Sequence, residues 1–136
     1  MFEKIILPVD GSVPSSRAVP AAADLAKRYG SEIVLVHIRE FEVARGAFAK
    51  ETRQEAVDFA DQIAKDLKDQ GLKVRVEVRS APAGHAAHAI MEVADKESAS
   101  LIVMGTRGLS DWAGMLVGSV AHKIIHLSNV PVLTVR

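Results

Sequence analysis

The sequence predicts an α/β fold in which one doubly wound, parallel sheet of five strands carries helices on both faces. The 136 residues, 49% of them apolar, suit a single domain, which we assign to 1–136. Short apolar runs alternate with amphipathic helical patterns along the chain. Three of these runs are continuously apolar, as in buried strands, and the other two have edge-strand features, which gives the strand order 3-2-1-4-5.

The first strand is predicted from the apolar run at 5–9, which stops at the turn residue Asp10. Ser12 is a suitable N-cap for the helix that follows, and Gly30 is a suitable residue to end it. Pro20 lies inside this helical pattern. Because proline removes a backbone hydrogen bond, the helix should bend there unless its regular part begins later.

A second buried strand is predicted at 33–38. Residues 40–50 show no clear period and are predicted to form a loop. A second amphipathic helix should follow from about residue 51 to 71. In the third strand, at 74–78, valines alternate with charged residues, so one face should be exposed and the strand should lie at an edge.

Pro82 is expected to open a third helix, and the fourth strand is predicted at 101–104. A loop that contains glycines leads to a short helix at 119–128. The last strand is predicted at 130–135. Pro131 places it at an edge, because a proline cannot donate to a strand ladder on both sides.

Composition excludes several function classes. Seventeen basic side chains balance seventeen acidic ones, which argues against nucleic acid and anionic membranes as partners. Aromatic residues make up only 4% of the chain, too few for a stacking surface, and no cysteine is present for a disulfide, a thiolate metal site or a thiol nucleophile. The start of the chain does not resemble a signal peptide, so we expect a cytoplasmic protein.

Ligands of open parallel sheets bind beyond the carboxyl ends of the strands, where the strand order reverses. In the predicted order, this point lies between the first and fourth strands and is marked by Asp10 and Gly105. Asp10 could instead be a turn or capping aspartate, but its position in the predicted crevice favours contact with a ligand.

The loop after the fourth strand has a glycine pattern suited to an anion. Glycines let backbone N–H groups approach a phosphate, and a helix start adds unpaired donors and positive partial charge. An ordinary strand-to-helix loop is the alternative, and no other phosphate-loop or dinucleotide motif is present. Ser119 could donate to the anion or cap the helix. The pattern consists of Gly105-Thr106-Arg107-Gly108, nine further residues, and Gly118-Ser119.

This pattern resembles the ATP-binding signature of the universal stress protein family. Other blocks in the same order extend the resemblance over nearly the whole chain, and the complete glycine pattern is that of the ATP-binding branch. These blocks are 4–12, 36–38, 102–105 and 130–135.

The resemblance implies a bound ATP and leaves open whether Mg²⁺ accompanies it. It also implies a homodimer through residues 130–135, which agrees with the predicted edge strand. The implied contacts are adenine near Val9 and Ile38, ribose near Asp10 and Gly105, and phosphates along Gly108, Gly118, Ser119 and Val120. Pro8, Met104 and Arg107 complete the predicted nucleotide contacts. Arg107 could equally be a solvated loop residue.

Three function classes remain. The favoured one is a stress-response regulatory protein whose nucleotide state is read by partners, because no nucleophile is paired with an oriented base and no catalytic residue is predicted. The second is a slow ATP hydrolase or self-phosphorylating protein that uses Ser119. A receiver or flavodoxin-like module is disfavoured, because the third strand ends in Arg79-Ser80 and the only tryptophan, Trp112, lies in the wrong loop. His122 and His126 have metal-ligand spacing but lack a third ligand, so no metal site is predicted.

Overall fold

The computed structural model describes residues 1–43, 48–106 and 117–136. Strands and helices alternate along these ranges, as predicted. The strands are β1 (Lys4–Pro8), β2 (Glu32–Glu42), β3 (Phe48–Ala49), β4 (Lys73–Pro82), β5 (Leu101–Gly105) and β6 (Val132–Val135), and the helices are α1 (Val13–Tyr29), α2 (Arg53–Asp69), α3 (Ala86–Lys96) and α4 (Ser119–Leu127).

Five parallel strands form the sheet in the order β4-β2-β1-β5-β6. Counted along the chain without the short β3, this is the predicted order 3-2-1-4-5. Of the five, β4 pairs only with β2 and β6 only with β5, so both predicted edge strands are confirmed among the described residues. The reversal of strand order lies between β1 and β5, which pair through Ile5↔Leu101 and Ile6↔Ile102.

Each face of the sheet carries its own apolar core. Because side chains alternate across a strand, Ile5 and Leu7 point to the face covered by α1 and α2, whereas Ile6 points to the face covered by α3 and α4. All three are fully buried. The helices contribute small residues to the first core, such as Ala18 and Ala60, which allows α1 and α2 to pack close to the strands.

The first helix begins as expected, since the Ser12 hydroxyl caps it by accepting from the Ser15 N–H at 3.2 Å, and Gly30 ends it in the left-handed conformation. The helix does not start late: it runs from Val13 through Pro20 to Tyr29. Pro20 is exposed, so the carbonyl group that it leaves without a partner faces the solvent side of the helix.

Two boundaries differ from the sequence prediction. Pro82 does not open a helix; it ends β4, where it pairs with Phe41, and α3 begins only at Ala86. The chain turns between these elements at Gly84, which has a φ of 86°. The prediction failed because a proline at a helix start and a proline at a strand end give the same local signal, and only the long pairing of β2 with β4 distinguishes them.

The segment at 40–50, predicted as a loop, is partly strand. β2 continues to Glu42, and β3 pairs with its end in an antiparallel manner through Phe41↔Ala49 and Glu42↔Phe48. Strand extension here depends on partners distant in sequence, which local periodicity does not reveal.

An ion network joins elements at the amino ends of the strands. The Arg75 guanidinium on β4 donates to both Glu32 and Glu97, and the Lys4 ammonium group lies 3.2 Å from the Glu97 carboxylate. The Arg75 hydrogen bond, and then the Lys4 hydrogen bond, lower the pKa of the nearly buried Glu97 carboxyl against the cost of desolvation. Because Lys4 begins β1, Glu32 begins β2 and Glu97 follows α3, the network ties β1, β2, β4 and the end of α3 together.

Candidate functional site

The candidate site lies at the carboxyl ends of β1 and β5, where the strand order reverses. β1 ends at Pro8 and leads through Val9 into the turn that carries Asp10. β5 ends at Gly105 on the neighbouring strand. The two segments that sequence analysis singled out therefore lie side by side at one edge of the sheet.

The turn after β1 is shaped by the side chain of Asp10. Its Oδ1 atom accepts from the Ser12 N–H at 2.9 Å, and its own N–H donates to the Ser15 hydroxyl at 3.0 Å. Gly11 completes the turn with a φ of 84°, a conformation that L side chains rarely adopt. The Asp10 side chain is exposed at the crevice. Asp10 can therefore shape the turn and also contact a ligand, because the turn uses only one of its two carboxylate oxygens.

Gly105 has a packing role that the sequence did not indicate. A Cβ atom built on it would lie 2.6 Å from the backbone nitrogen of Ser15 and 2.6 Å from the carbonyl carbon of Pro14. The start of α1 therefore crosses the end of β5 at a distance that only glycine permits. The first glycine of the pattern is required by the fold whether or not a ligand is bound.

The loop after β5 is closed at its base by backbone hydrogen bonds. The Gly118 N–H donates to the Thr106 carbonyl, and the Thr106 N–H donates to the Val135 carbonyl at 2.8 Å. Gly118 is the N-cap of α4, and its carbonyl accepts from the His122 N–H at 2.9 Å. The Gly118 amide is therefore engaged by Thr106, and α4 begins at the exposed Ser119.

Two predicted phosphate contacts, Arg107 and Gly108, lie outside the described residues, as does Trp112.

The predicted adenine contacts lie on different faces of the sheet. The Val9 side chain packs into the core beneath α1 and α2, whereas Ile38 and the buried Met104 pack on the face covered by α3 and α4. A base that contacts Ile38 and Met104 would therefore meet Val9 only through its backbone. Pro8 is buried at the end of β1.

Within the described ranges, strand pairing along the β1-facing edge of β2 is interrupted next to this apolar surface. β1 pairs with β2 as far as Pro8↔Val36, and β3 begins to pair on the same side at Phe41↔Ala49. Ile38 lies between these two pairs.

Among the described residues, two cavities border the site. One, of about 70 Å³, is bordered by Ser119 and Val120 at the start of α4 and by Glu40 of β2. Lys123 also lines it, and its ammonium group donates to the Gly84 carbonyl at 3.2 Å. The other, of about 350 Å³, lies between α1 and α2 on the opposite face and shares only Val9 with the predicted nucleotide contacts.

His37 was not identified as a site residue by sequence analysis. It is 5% exposed, on β2 directly before Ile38. Its Nδ1 lies 2.8 Å from the Val9 carbonyl oxygen and its Nε2 lies 2.7 Å from Oε1 of Glu51. The ring also packs against Phe59, with 4.8 Å between the ring centroids. A histidine within a buried strand needs polar partners, which was the available signal, but the sequence does not show what those partners are.

Among the residues that the structure describes, no group of three or more His, Asp or Glu side chains could hold a metal ion. His122 and His126 stack edge to face with 4.4 Å between their ring centroids. In the part of the chain that the structure describes, none of the helices combines the length and the apolar character needed to span a bilayer.

Comparison with known proteins identifies the family and supports the fold. The sequence profile of the universal stress protein family matches residues 1–136. The universal stress protein YxiE of Bacillus subtilis is 34% identical over 148 residues, with all of both chains covered. The structure of the hypothetical protein MJ0577 of Methanocaldococcus jannaschii superimposes with a TM-score of 0.81 at 26% identity, covering 99% of this chain and 96% of that one. A universal stress protein solved in complex with cAMP has a TM-score of 0.70 at 26% identity, covering 98% and 97% of the two chains. The chain therefore belongs to the universal stress protein family.

Proposed function

We propose that this protein binds ATP at the carboxyl ends of β1 and β5 and acts as a stress-response regulator whose nucleotide state is read by partner proteins. One observation carries the proposal: the exposed Asp10 carboxylate and the amino end of α4 lie at the same edge of the sheet, at the reversal of strand order. The related protein that was solved with cAMP supports an adenine nucleotide as the ligand class.

Each part of the nucleotide has a matching group. A carboxylate such as Asp10 accepts strong hydrogen bonds from the two ribose hydroxyls. The amides and the dipole at the start of α4 favour phosphate oxygens. The partly exposed Ile38 offers an apolar contact for the base on the same face of the sheet as α4, and the buried Met104 packs on that face. Lys123 adds a positive charge beside Ser119 and Val120.

The test is titration calorimetry of the purified protein with ATP, compared with the Asp10→Asn variant. Asparagine keeps a side-chain oxygen for the Ser12 N–H, so the turn is retained, but it loses the charge that strengthens bonds to the ribose. We expect affinity to fall about tenfold or more, because hydrogen bonds to a charged group contribute about 1.5–3 kcal/mol. Asp24→Asn, on the exposed side of α1, is the matched control and should bind like the wild type. Equal affinities for Asp10→Asn and the wild type would remove Asp10 from the site.

A slow hydrolase or a self-phosphorylating protein is the second candidate. It is favoured by one feature: Ser119 is exposed at the first position of α4, where the proposed phosphates lie. In this case the protein would release phosphate or become phosphorylated above background, and Ser119→Ala would abolish that activity. Turnover that persists in Ser119→Ala would assign the chemistry to another group.

The proposed assembly is a homodimer through residues 130–135. β6 is an edge strand, and Leu133 on it is 41% exposed. An unpaired strand edge with an exposed leucine is a suitable surface for a second copy of the chain.

A further inference from the structure

His37 is held by two groups that can only accept hydrogen bonds. The Val9 carbonyl lies 2.8 Å from Nδ1, and the Glu51 carboxylate lies 2.7 Å from Nε2. Carbonyl and carboxylate oxygens have no hydrogen to donate. Both contacts are therefore hydrogen bonds only if each ring nitrogen carries a hydrogen, or if Glu51 itself is protonated.

This arrangement requires one more proton than a neutral imidazole and a carboxylate possess together. A neutral imidazole has a single N–H and can serve only one of the two acceptors. Without the additional proton, the N–H should favour Glu51, since bonds to a charged acceptor are stronger. The nitrogen lone pair would then face the Val9 carbonyl at close range, and that contact would be repulsive.

Among the described residues, few other groups around His37 could compensate for the missing proton. Val78 of β4 pairs with His37, and Phe59 of α2 packs on its ring; both are uncharged. Among the described residues, the charged groups joined to this pair by printed contacts are Glu51, which precedes the α2 cap, and Arg39 on the same strand, whose Nε donates to the Glu51 carbonyl at 2.8 Å. Because Arg39 holds the Glu51 backbone, Glu51 stays near His37 in either protonation state.

The Val9 carbonyl is one residue away from the candidate ribose contact. Asp10 follows it directly, and the Asp10 N–H is bonded to the Ser15 hydroxyl at the start of α1. A displacement of Val9 would therefore change where the Asp10 carboxylate lies relative to the crevice. His37 contacts the carbonyl of Val9 through Nδ1, so the role we infer for it is to position the turn.

We propose that the His37–Glu51 pair positions the nucleotide-binding end of β1 only while the two side chains share the additional proton. ATP affinity then falls as pH rises and the pair loses that proton. This inference rests on the proposed ATP site and adds a form of regulation to it, in which the protein binds nucleotide more tightly while the pair holds the additional proton.

The variant that tests the inference is Glu51→Gln. A glutamine amide can donate to Nε2 while the ring donates from Nδ1 to Val9, so a neutral imidazole satisfies both contacts without the additional proton. ATP affinity is measured by calorimetry for both proteins from about pH 5 to pH 8, the range over which histidine usually changes charge. Protonation of the ATP phosphates affects both proteins equally and cancels in the ratio of their affinities.

We expect the affinity of the wild type, relative to Glu51→Gln, to fall about three- to tenfold across this range, the equivalent of one net hydrogen bond. His88→Gln, which removes an exposed histidine of α3, should keep the pH profile of the wild type. Identical pH profiles for the wild type and Glu51→Gln would overturn the inference.

A second readout separates this inference from the proposed function. In the nucleotide-free protein, the NMR signal of the Asp10 amide should move with pH in the wild type, and this movement should be strongly reduced in Glu51→Gln. If the wild type binds no ATP at any pH, the proposed function is wrong. The Asp10 signal still shows whether the protonation of the His37–Glu51 pair changes the position of the Asp10 turn. An Asp10 signal with the same pH dependence in both proteins would refute the positioning role of His37.

Discussion

The backbone of Ser15 passes so close to Gly105 that a methyl group on Gly105 would lie 2.6 Å from the Ser15 nitrogen. No real Cβ atom tolerates this distance from a backbone atom, so the start of α1 and the end of β5 can pack together only with glycine at 105. The same contact places the Asp10 turn, which is bonded to Ser15, next to the end of β5. One glycine thus brings together the two halves of the candidate site.

Gly105→Ala should destabilise the fold by about 2 kcal/mol or more, because the added methyl group must displace backbone atoms. Urea unfolding of the variant and the wild type measures the difference in the free energy of unfolding. Gly71→Ala is the matched control: Gly71 has open space around it but a φ of 82°, so only its backbone conformation is strained, at a cost of about 1–2 kcal/mol. A Gly105→Ala variant as stable as the wild type would mean that α1 can move away from β5.

Glu97→Gln should destabilise the protein at neutral pH by about 1–3 kcal/mol, because it weakens hydrogen bonds from Arg75 and Lys4 to a carboxylate. These partners lower the pKa of Glu97 in the folded state. The stabilisation that the ionised Glu97 provides is therefore present above its pKa in the unfolded chain, about 4.3. This stabilisation is lost as the pH falls through the lower pKa that Glu97 has in the folded protein. The measurement is denaturant unfolding at several pH values, in which the gap between wild type and variant should narrow in acid. The control is Glu92→Gln at an exposed position on α3, which should leave the free energy of unfolding unchanged at every pH. If the difference between Glu97→Gln and the wild type were constant with pH, the stabilisation would not come from the ionised Glu97 carboxylate.

Leu133→Glu should convert the proposed dimer to monomers, because it places a charge on the exposed side of the β6 edge. Leu133 is a better position than Val132, since Val132 packs against the core on the α3 and α4 face and a charge there would also unfold the monomer. Sedimentation velocity measures the assembly state, and circular dichroism checks that the fold is kept. Val43→Glu, an exposed position at the end of β2, should leave the dimer intact. Dimers that survive Leu133→Glu would show that another surface is used.

Lys123→Gln should weaken ATP binding by a few-fold and leave the binding of adenosine unchanged, because only ATP carries the phosphates that its charge would attract. Glutamine is long enough to keep a hydrogen bond to the Gly84 carbonyl, so the cavity wall should be preserved. Calorimetry with both ligands measures the effect, and Lys65→Gln on the exposed face of α2 is the control. An equal loss for ATP and adenosine would mean that Lys123 acts on the shape of the site and not through its charge.

Local patterns were enough to predict the strand order, the helix positions and the edge to which Asp10 and Gly105 belong. Buried strands, an N-cap such as Ser12 and a terminating Gly30 depend on neighbours in the sequence and on burial, so they are visible in composition and periodicity. Contacts between distant segments are not visible in this way. Pro82 and the end of β2 were predicted wrongly for that reason, because a strand extends where a partner strand lies beside it.

The sequence by itself determined the architecture, the family resemblance and the residues expected around a nucleotide. Only the tertiary structure decided why those residues have their roles: Gly105 is needed for a backbone crossing, Val9 and Ile38 face opposite sides of the sheet, and the Gly118 amide is bonded to Thr106. It also brought His37, Val9 and Glu51 together from three separate segments. The physical reason is that alternation and capping are short-range effects, whereas steric closeness and the pairing of buried polar groups arise only when the chain is packed.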